Sequence, residues 1–377
     1  MNRLSRVTDP GFSVPNTNFS YDAHDNRTSV TDSDGVETEF EYDDFGRRTS
    51  RYSPDSGWTF YTYLPNDLMK TREDADGIIL TYEYDALNRL TLIKRNNGTA
   101  LVSYGYDETV EGAEQKGRLT SMTDASGGSV YLYNTHGELV KETRTTTGQV
   151  FVTEYGYTGN GEDEYIIYPS GRKIIWNRTA TGQLSSVESL YQGRTGFLAE
   201  NFSSEPFGPV TSLNAGNGLT MTRSFDSLYR LDGITAGSLY ERTYTYWSDG
   251  LVQDIVHPVG ADHAYNYDGL GQLDTATVPA GSFDFNHDAV GNRLNRTVDG
   301  IDVTGYTYAV GTNRLDQSTG ATAASYGYDA SGNIATDSTD TTVYDLTDDQ
   351  RLASVTKNSL IRNAEPYIHY SLRKKAH

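Results

Sequence analysis

The sequence predicts an all-β protein built of antiparallel β-hairpins that recur about every 21 residues along the chain. Three observations predict it. An aromatic residue, usually Tyr followed by Asp, returns at a near-constant interval. The residues before it alternate polar and aromatic. A turn carrying Gly or Asn comes after it.

Tyr21, Tyr42, Tyr63 and Tyr84 stand 21 residues apart, and Tyr106, Tyr133 and Tyr157 follow at 22, 27 and 24. The interval resumes at Phe225, Tyr246 and Tyr267, then at His287, Tyr308 and Tyr328, with Tyr344 early. The approach to each is a strand. In Thr38-Glu39-Phe40-Glu41-Tyr42 the rings fall on one face and the acids on the other, and pairs such as Tyr61/Tyr63, Tyr82/Tyr84 and Tyr265/Tyr267 repeat this. Helical spacing is nowhere sustained.

The first turn of each unit places Gly46, Asn88, Gly137, Gly250, Gly271 or Gly332 four residues after the aromatic, where a positive φ is most easily adopted. An Arg-Leu step then opens the next strand, as at Arg3-Leu4, Arg89-Leu90, Arg118-Leu119, Arg230-Leu231, Arg293-Leu294, Arg314-Leu315 and Arg351-Leu352. A second turn closes the unit at Asp32-Ser33-Asp34-Gly35, Asp74-Ala75-Asp76-Gly77 and Asp124-Ala125-Ser126-Gly127-Gly128. Two strands of about six residues and two turns of about four make one hairpin per repeat. The chain is therefore expected to be a single array over 1–377, regular over 1–157 and 225–377 and irregular over 158–224.

Composition bounds the function. Hydrophobic residues make up only 36%, but 29 Tyr, 12 Phe and 3 Trp supply rings that disordered chains lack, so an ordered protein with a thin, aromatic core is expected. A net charge of -20 repels phosphate backbones and anionic lipid headgroups, which argues against nucleic acid and membrane insertion. Cys is absent, excluding disulfides and thiolate metal sites. The opening residues contain no signal-peptide apolar stretch.

Several residues invite a chemical reading. The aromatic ladder reads first as packing across strands and second as a surface for sugar rings. The Arg of each step is expected to pair with a turn Asp or stack on a neighbouring ring. Asp32, Asp34 and Gly35, like Asp74, Asp76 and Gly77, echo the start of a calcium loop, but the twelfth positions, Asp43 and Asp85, already belong to the repeat, so ordinary Asp-Gly turn chemistry is favoured. The seven His (His24, His136, His257, His263, His287, His369 and His377) form no metal-binding pair at useful spacing. His287 occupies a Tyr slot. A Tyr/His pair acting on a polysaccharide by β-elimination is the enzymatic alternative. No catalytic, cofactor-binding or metal residues are assigned, and no cofactor is expected.

The run Tyr-Asp-x-x-Gly-Arg-Leu followed by Asp-x-x-Gly resembles the YD repeat of bacterial RHS proteins, of the shell-forming component of Tc toxins and of teneurins. Tyr168-Pro169-Ser170-Gly171, Pro206-Phe207-Gly208-Pro209-Val210 and Gly216-Asn217-Gly218-Leu219-Thr220 resemble recurring segments of such arrays. The resemblance implies a sheet spiralling into a cocoon, and a shell or scaffold in a secreted or cell-surface bacterial protein. Its partners would be other copies or the rest of an RHS shell, with polypeptide cargo or glycan. It also implies, in toxin-associated members, a plug that cleaves itself at Asp-Pro-x-Gly. The only Asp-Pro here is Asp9-Pro10, so no self-cleavage residues carry over. The array is expected to begin and end mid-unit, near Asn2-Arg3-Leu4 and Tyr367-Ile368-His369-Tyr370, leaving strand edges to be paired. Its length makes a closed capsule doubtful and an open or self-extending sheet the expectation.

Overall fold

The computed structural model describes residues 3–8, 16–109, 115–206, 208–260, 262–321, 323–339, 342–346, 352–357 and 360–363. Asp9-Pro10, Phe207, Arg351, His369, His377 and the segment around Tyr367 lie outside the described residues. Every described regular element is a β-strand, as the alternation predicts. No helix among the described residues is long and apolar enough to cross a membrane.

The chain divides into two compact units. One comprises Met1–Asn88, Lys94–Thr99 and Asn266–His377; the other comprises Arg89–Ile93 and Ala100–Tyr265. In the first unit, the strands from Arg6–Thr8 to Ile79–Tyr84 pair antiparallel, each with the next in sequence. The strands from Leu273–Val278 to Leu360–Asn363 do the same. In the second unit the meander runs from Ala100–Tyr106 to His263–Tyr267.

The repeat signature dictates the turn. In the hairpin of Glu37–Tyr42 and Arg48–Ser53, the Gly46 N–H donates to the Asp43 carbonyl at 2.9 Å and the Asp43 N–H to the Arg47 carbonyl at 3.0 Å. This is a type I turn followed by a left-handed residue, which forms a bulge on the returning strand. Register accordingly slips between Glu41 and Tyr42, and again at Thr62/Tyr63, Leu132/Tyr133, Thr245/Tyr246 and Gly327/Tyr328. The six turn positions picked out by spacing have φ of 75° (Gly46), 64° (Asn88), 86° (Gly137), 92° (Gly250), 75° (Gly271) and 84° (Gly332). Side-chain period is two, so both aromatics of a pair share one face of their strand, while the extra residue of the bulge, Thr49 opposite Glu41/Tyr42 and Lys70 opposite Thr62/Tyr63, lies on the returning strand.

The core is thin, as composition predicts, but it is less aromatic than expected. Phe40 and Tyr131 are buried together with the aliphatic Val36, Leu80, Val102 and Ile174 and with Ala276 and Ala324, while the most deeply buried side chains are Thr120, Thr304 and Ser50. Most paired tyrosines are half-buried instead. The opposite face is hydrogen-bonded across strands by small polar side chains: Thr62 with Thr71 at 2.5 Å, Thr222 with Thr235 at 2.6 Å and Asn286 with Asn295 at 2.9 Å.

Candidate functional site

The recurring residues are bonded to one another across repeats. The second aromatic of a pair points its phenol back to the start of a strand in the preceding unit. Tyr21, Tyr42, Tyr63, Tyr84 and Tyr106 donate to the carbonyls of Leu4, Arg27, Arg48, Met69 and Leu90 at 2.7–2.9 Å. Tyr133, Tyr157, Tyr246, Tyr308 and Tyr328 donate to those of Leu119, Leu139, Leu231, Arg293 and Leu315 at 2.6–2.9 Å. The carbonyls of Arg27, Arg48, Met69, Leu119, Leu139, Leu231, Arg293 and Leu315 lie beside the preceding bulge, where the ladder is disrupted and the phenol supplies a donor.

The step arginine lies over the same ring. Arg3, Arg47, Arg89, Arg118, Arg230 and Arg314 place their guanidinium carbons 4.4–5.6 Å from the ring centres of Tyr21, Tyr63, Tyr106, Tyr133, Tyr246 and Tyr328. The guanidinium also reaches acids. Arg47 binds Asp43 of its own turn at 2.7 Å and Asp67 of the next turn at 2.8 Å, and Arg89 binds Asp107 at 2.7 Å. Both readings expected of the arginine, pairing and stacking, therefore occur in one side chain. Ladder tyrosines are coupled through the arginine and the carbonyl.

The turn Asp completes the unit. Asp43 Oδ1 accepts from the N–H groups of Phe45 at 3.0 Å and Arg47 at 2.9 Å, and Asp226 repeats this with Leu228 and Arg230. Hydrogen bonds hold these carboxylates below the usual range, from the Arg47 guanidinium at Asp43, the Arg89 guanidinium at Asp107, the Asn26 side chain at Asp22 and the Arg230 N–H at Asp226. The calcium-like residues are engaged in the same way, with Asp32 Oδ1 accepting from Asp34 N–H at 3.0 Å and Val36 N–H at 2.8 Å. Among the described residues no three His, Asp or Glu are arranged to hold a metal.

Burial raises the phenols of Tyr63, Tyr82, Tyr84, Tyr131, Tyr133, Tyr244, Tyr308 and Tyr328 above their ordinary value. They stay protonated donors, poorly suited to act as bases. Because the folded pKa lies above the unfolded one, the stabilisation is complete below about pH 10 and declines as pH rises past it. An alkaline unfolding titration followed by circular dichroism is expected to show the urea midpoint falling only above about pH 10.

His263 Nδ1 lies 2.9 Å from the Tyr265 hydroxyl, a Tyr/His contact. Sequence reasoning had no signal for it beyond two residues at strand spacing. His287 sits in the tyrosine register opposite Arg293, as its Tyr slot predicts. A hollow of the first unit, about 470 Å³, is lined by Leu64, Lys70, Tyr82, Tyr84, Asp85 and Asn88 among others, with no His in its lining. An exposed aromatic platform was also missed. Trp58 and Phe60, 41% and 45% exposed, stack 5.5 Å apart and within 6° of parallel, with Tyr52 5.0 Å from Trp58.

Comparison with known proteins agrees with this architecture. The RHS Repeat family matches residues 2–37, 21–57 and 63–100, and the Teneurin YD-shell family matches residues 188–362. Teneurin-m of Drosophila melanogaster is 25% identical over 155 residues, which cover 40% of this chain and 5% of that protein. The crystal structure of TcdB2-TccC3-Cdc42 superimposes with a TM-score of 0.79 at 15% identity, covering 91% of this chain and 20% of that one. The Photorhabdus luminescens Tc holotoxin pore gives 0.80 at 16%, covering 93% and 20%. The chain thus spans about a fifth of the solved chains it matches and a twentieth of the teneurin. Together, the two matched families and the tyrosine, arginine and aspartate architecture show that the chain belongs to the RHS/YD-repeat family and has its shell scaffold fold.

Proposed function

We propose that the chain is a structural wall element of an exported bacterial protein, secreted or held at the cell surface, and that it works as one array over 1–377 without catalysis. Copies join through their sheet edges to form a wall around polypeptide cargo. The observation that carries this reading is that the recurring polar groups are bonded to each other: phenol to carbonyl, guanidinium to ring and turn carboxylate, and carboxylate to turn amides. Such a set builds a sheet and leaves few of its members for substrate. The net charge of -20 further disfavours nucleic acid and anionic membrane as partners. A strand edge offers a row of backbone donors and acceptors to another strand, and head-to-tail joining of such edges propagates. Sedimentation velocity over a rising concentration series tests this. Species larger than the monomer are expected to grow with concentration, and a chain that stays monomeric throughout contradicts joining of copies.

One observation favours a second reading, carbohydrate binding. The Trp58/Phe60 platform is flat and exposed, and ring faces of this kind pack against the apolar faces of sugars. Calorimetric titration with neutral and acidic oligosaccharides tests it, with Trp58→Ala expected to abolish any heat of binding. Heat that is unchanged in the variant, or absent in both proteins, removes the platform from consideration. β-Elimination by the His263/Tyr265 pair would give an unsaturated, ultraviolet-absorbing product, and a polysaccharide screen lacking that absorbance removes the lyase.

A further inference from the structure

On the tyrosine face of the sheet, ring, guanidinium and carboxylate come as a set. Arg47 lies 5.0 Å from the Tyr63 ring centre and binds Asp67 at 2.8 Å, Arg89 lies 4.4 Å from that of Tyr106 and binds Asp107 at 2.7 Å, and Arg230 lies 4.5 Å from that of Tyr246 and binds Asp226 at 2.7 Å. A planar guanidinium satisfies both partners at once, with its face on the ring and its N–H fork on the carboxylate.

The opposite face of the first unit presents rings and carboxylates without an arginine of its own. Register sets Glu39 opposite Tyr52 and Tyr52 opposite Trp58; it also sets Glu41 opposite Ser50, Ser50 opposite Phe60 and Phe60 opposite Glu73. Side chains directly opposite each other share a face, so three glutamates flank the exposed Trp58/Phe60 stack across four strands, a width of about 14 Å. Arg51 and Arg72 take the alternate positions, opposite Thr59 and Tyr61, and project from the tyrosine face. Among the described residues no Lys or Arg lies over Tyr52, Trp58 or Phe60, Glu39 and Glu73 join no ion pair, and Glu41 takes the Ser50 hydroxyl at 2.9 Å.

We propose that this patch binds an extended polypeptide segment bearing arginines at alternate positions, which supplies from outside the cation that the tyrosine face supplies from within. One guanidinium lies against Trp58 and Phe60 and forks onto Glu73; the next, about 7 Å along an extended chain, reaches Glu39 and Glu41. Trp offers the strongest ring face for a cation, and it stands at the centre of the patch. A neutral sugar engages the rings and leaves three carboxylate charges uncompensated, and an acidic sugar is repelled by them. A guanidinium answers rings and charge together. The net charge of -20 draws basic segments toward the whole chain, and the rings give this patch its preference among acidic surfaces.

The patch goes beyond the wall reading and stands whether or not copies join. Calorimetric titration of the full chain at low ionic strength tests it with a blocked hexapeptide of alternating arginine and serine, beside the same peptide carrying citrulline, the uncharged analogue, in place of arginine. The arginine peptide is expected to bind and the citrulline peptide is not. Trp58→Leu keeps apolar bulk and total charge but removes the indole face, and it should weaken binding about tenfold. Glu39→Gln combined with Glu73→Gln should weaken it about tenfold as well and flatten its dependence on salt. Urea midpoints check that the variants fold, and Trp58→Leu alone decides the matter if the glutamine pair does not. No binding of the arginine peptide, equal affinity for the two peptides, or affinity unchanged in Trp58→Leu overturns the proposal. Binding of a neutral oligosaccharide with none of the arginine peptide also overturns it and gives the surface to sugars.

Discussion

Gly127→Ala is expected to cost on the order of 3 kcal/mol and to break the hairpin between Gly127–Tyr133 and Leu139–Thr146. Gly127 has φ of 139°, and a Cβ there would sit 1.9 Å from the Thr145 carbonyl oxygen and 3.2 Å from the Thr146 Cα. Those atoms belong to the paired strand's backbone, with Gly127 opposite Thr146 in register, so the clash cannot be relieved by turning a side chain. The strands must separate, and the loss should spread to their neighbours, because stability in a repeat array comes largely from adjoining units. Gly148→Ala is the control. Gly148 also has positive φ, 79°, but has open space where the Cβ would go, so it should lose only about 1 kcal/mol. Urea midpoints of the two variants measure the difference, and equal losses would show that space at Gly127 is not limiting.

Removing four phenols at once, Tyr106→Phe, Tyr133→Phe, Tyr157→Phe and Tyr246→Phe, is expected to lower stability by about 4 kcal/mol, at about 1 kcal/mol each. These hydroxyls donate to the carbonyls of Leu90, Leu119, Leu139 and Leu231 at 2.6–2.9 Å, and the substitution leaves each carbonyl without that donor while hardly changing the ring. Arginine stacking survives at Tyr106, Tyr133 and Tyr246, so the loss isolates the hydroxyl. Neighbouring repeats share strands, which makes departure from simple additivity expected. Tyr229, 61% exposed, provides the comparison: Tyr229→Phe should change stability by less than about 0.5 kcal/mol. A quadruple variant as stable as the natural chain would mean that water satisfies those carbonyls equally well.

Much of the fold was legible because the repeat is written in residues with narrow conformational meaning. Gly46 and Gly332 announce a left-handed position, Asp43 a turn, and the Tyr61/Tyr63 spacing a strand face. The role of the arginine was half legible, since charge and position suggested pairing or stacking while the structure shows Arg47 doing both. Other features depend on geometry that spacing does not carry. The bulge at Thr49, opposite Tyr42, follows from the turn's hydrogen bonds, and the Tyr42 phenol bonds the Arg27 carbonyl beside the equivalent bulge of the preceding repeat. The meeting of Asp55 with Asn313, or of Asp76 with Ala330, joins turns more than 250 residues apart, which no local pattern predicts. Trp58 and Phe60 escaped notice because they stand on the polar face, away from the tyrosine positions.

The central claim is that recurring tyrosines serve the sheet, each phenol holding the start of a strand in the preceding repeat. Proton NMR of the phenolic hydroxyls tests it most directly. The account predicts slowly exchanging hydroxyl protons on Tyr106, Tyr133, Tyr157 and Tyr246, each with through-space contacts to the strand start at Leu90, Leu119, Leu139 and Leu231. Hydroxyl protons that exchange freely with water at all four positions, with no contact to the preceding repeat, would contradict it.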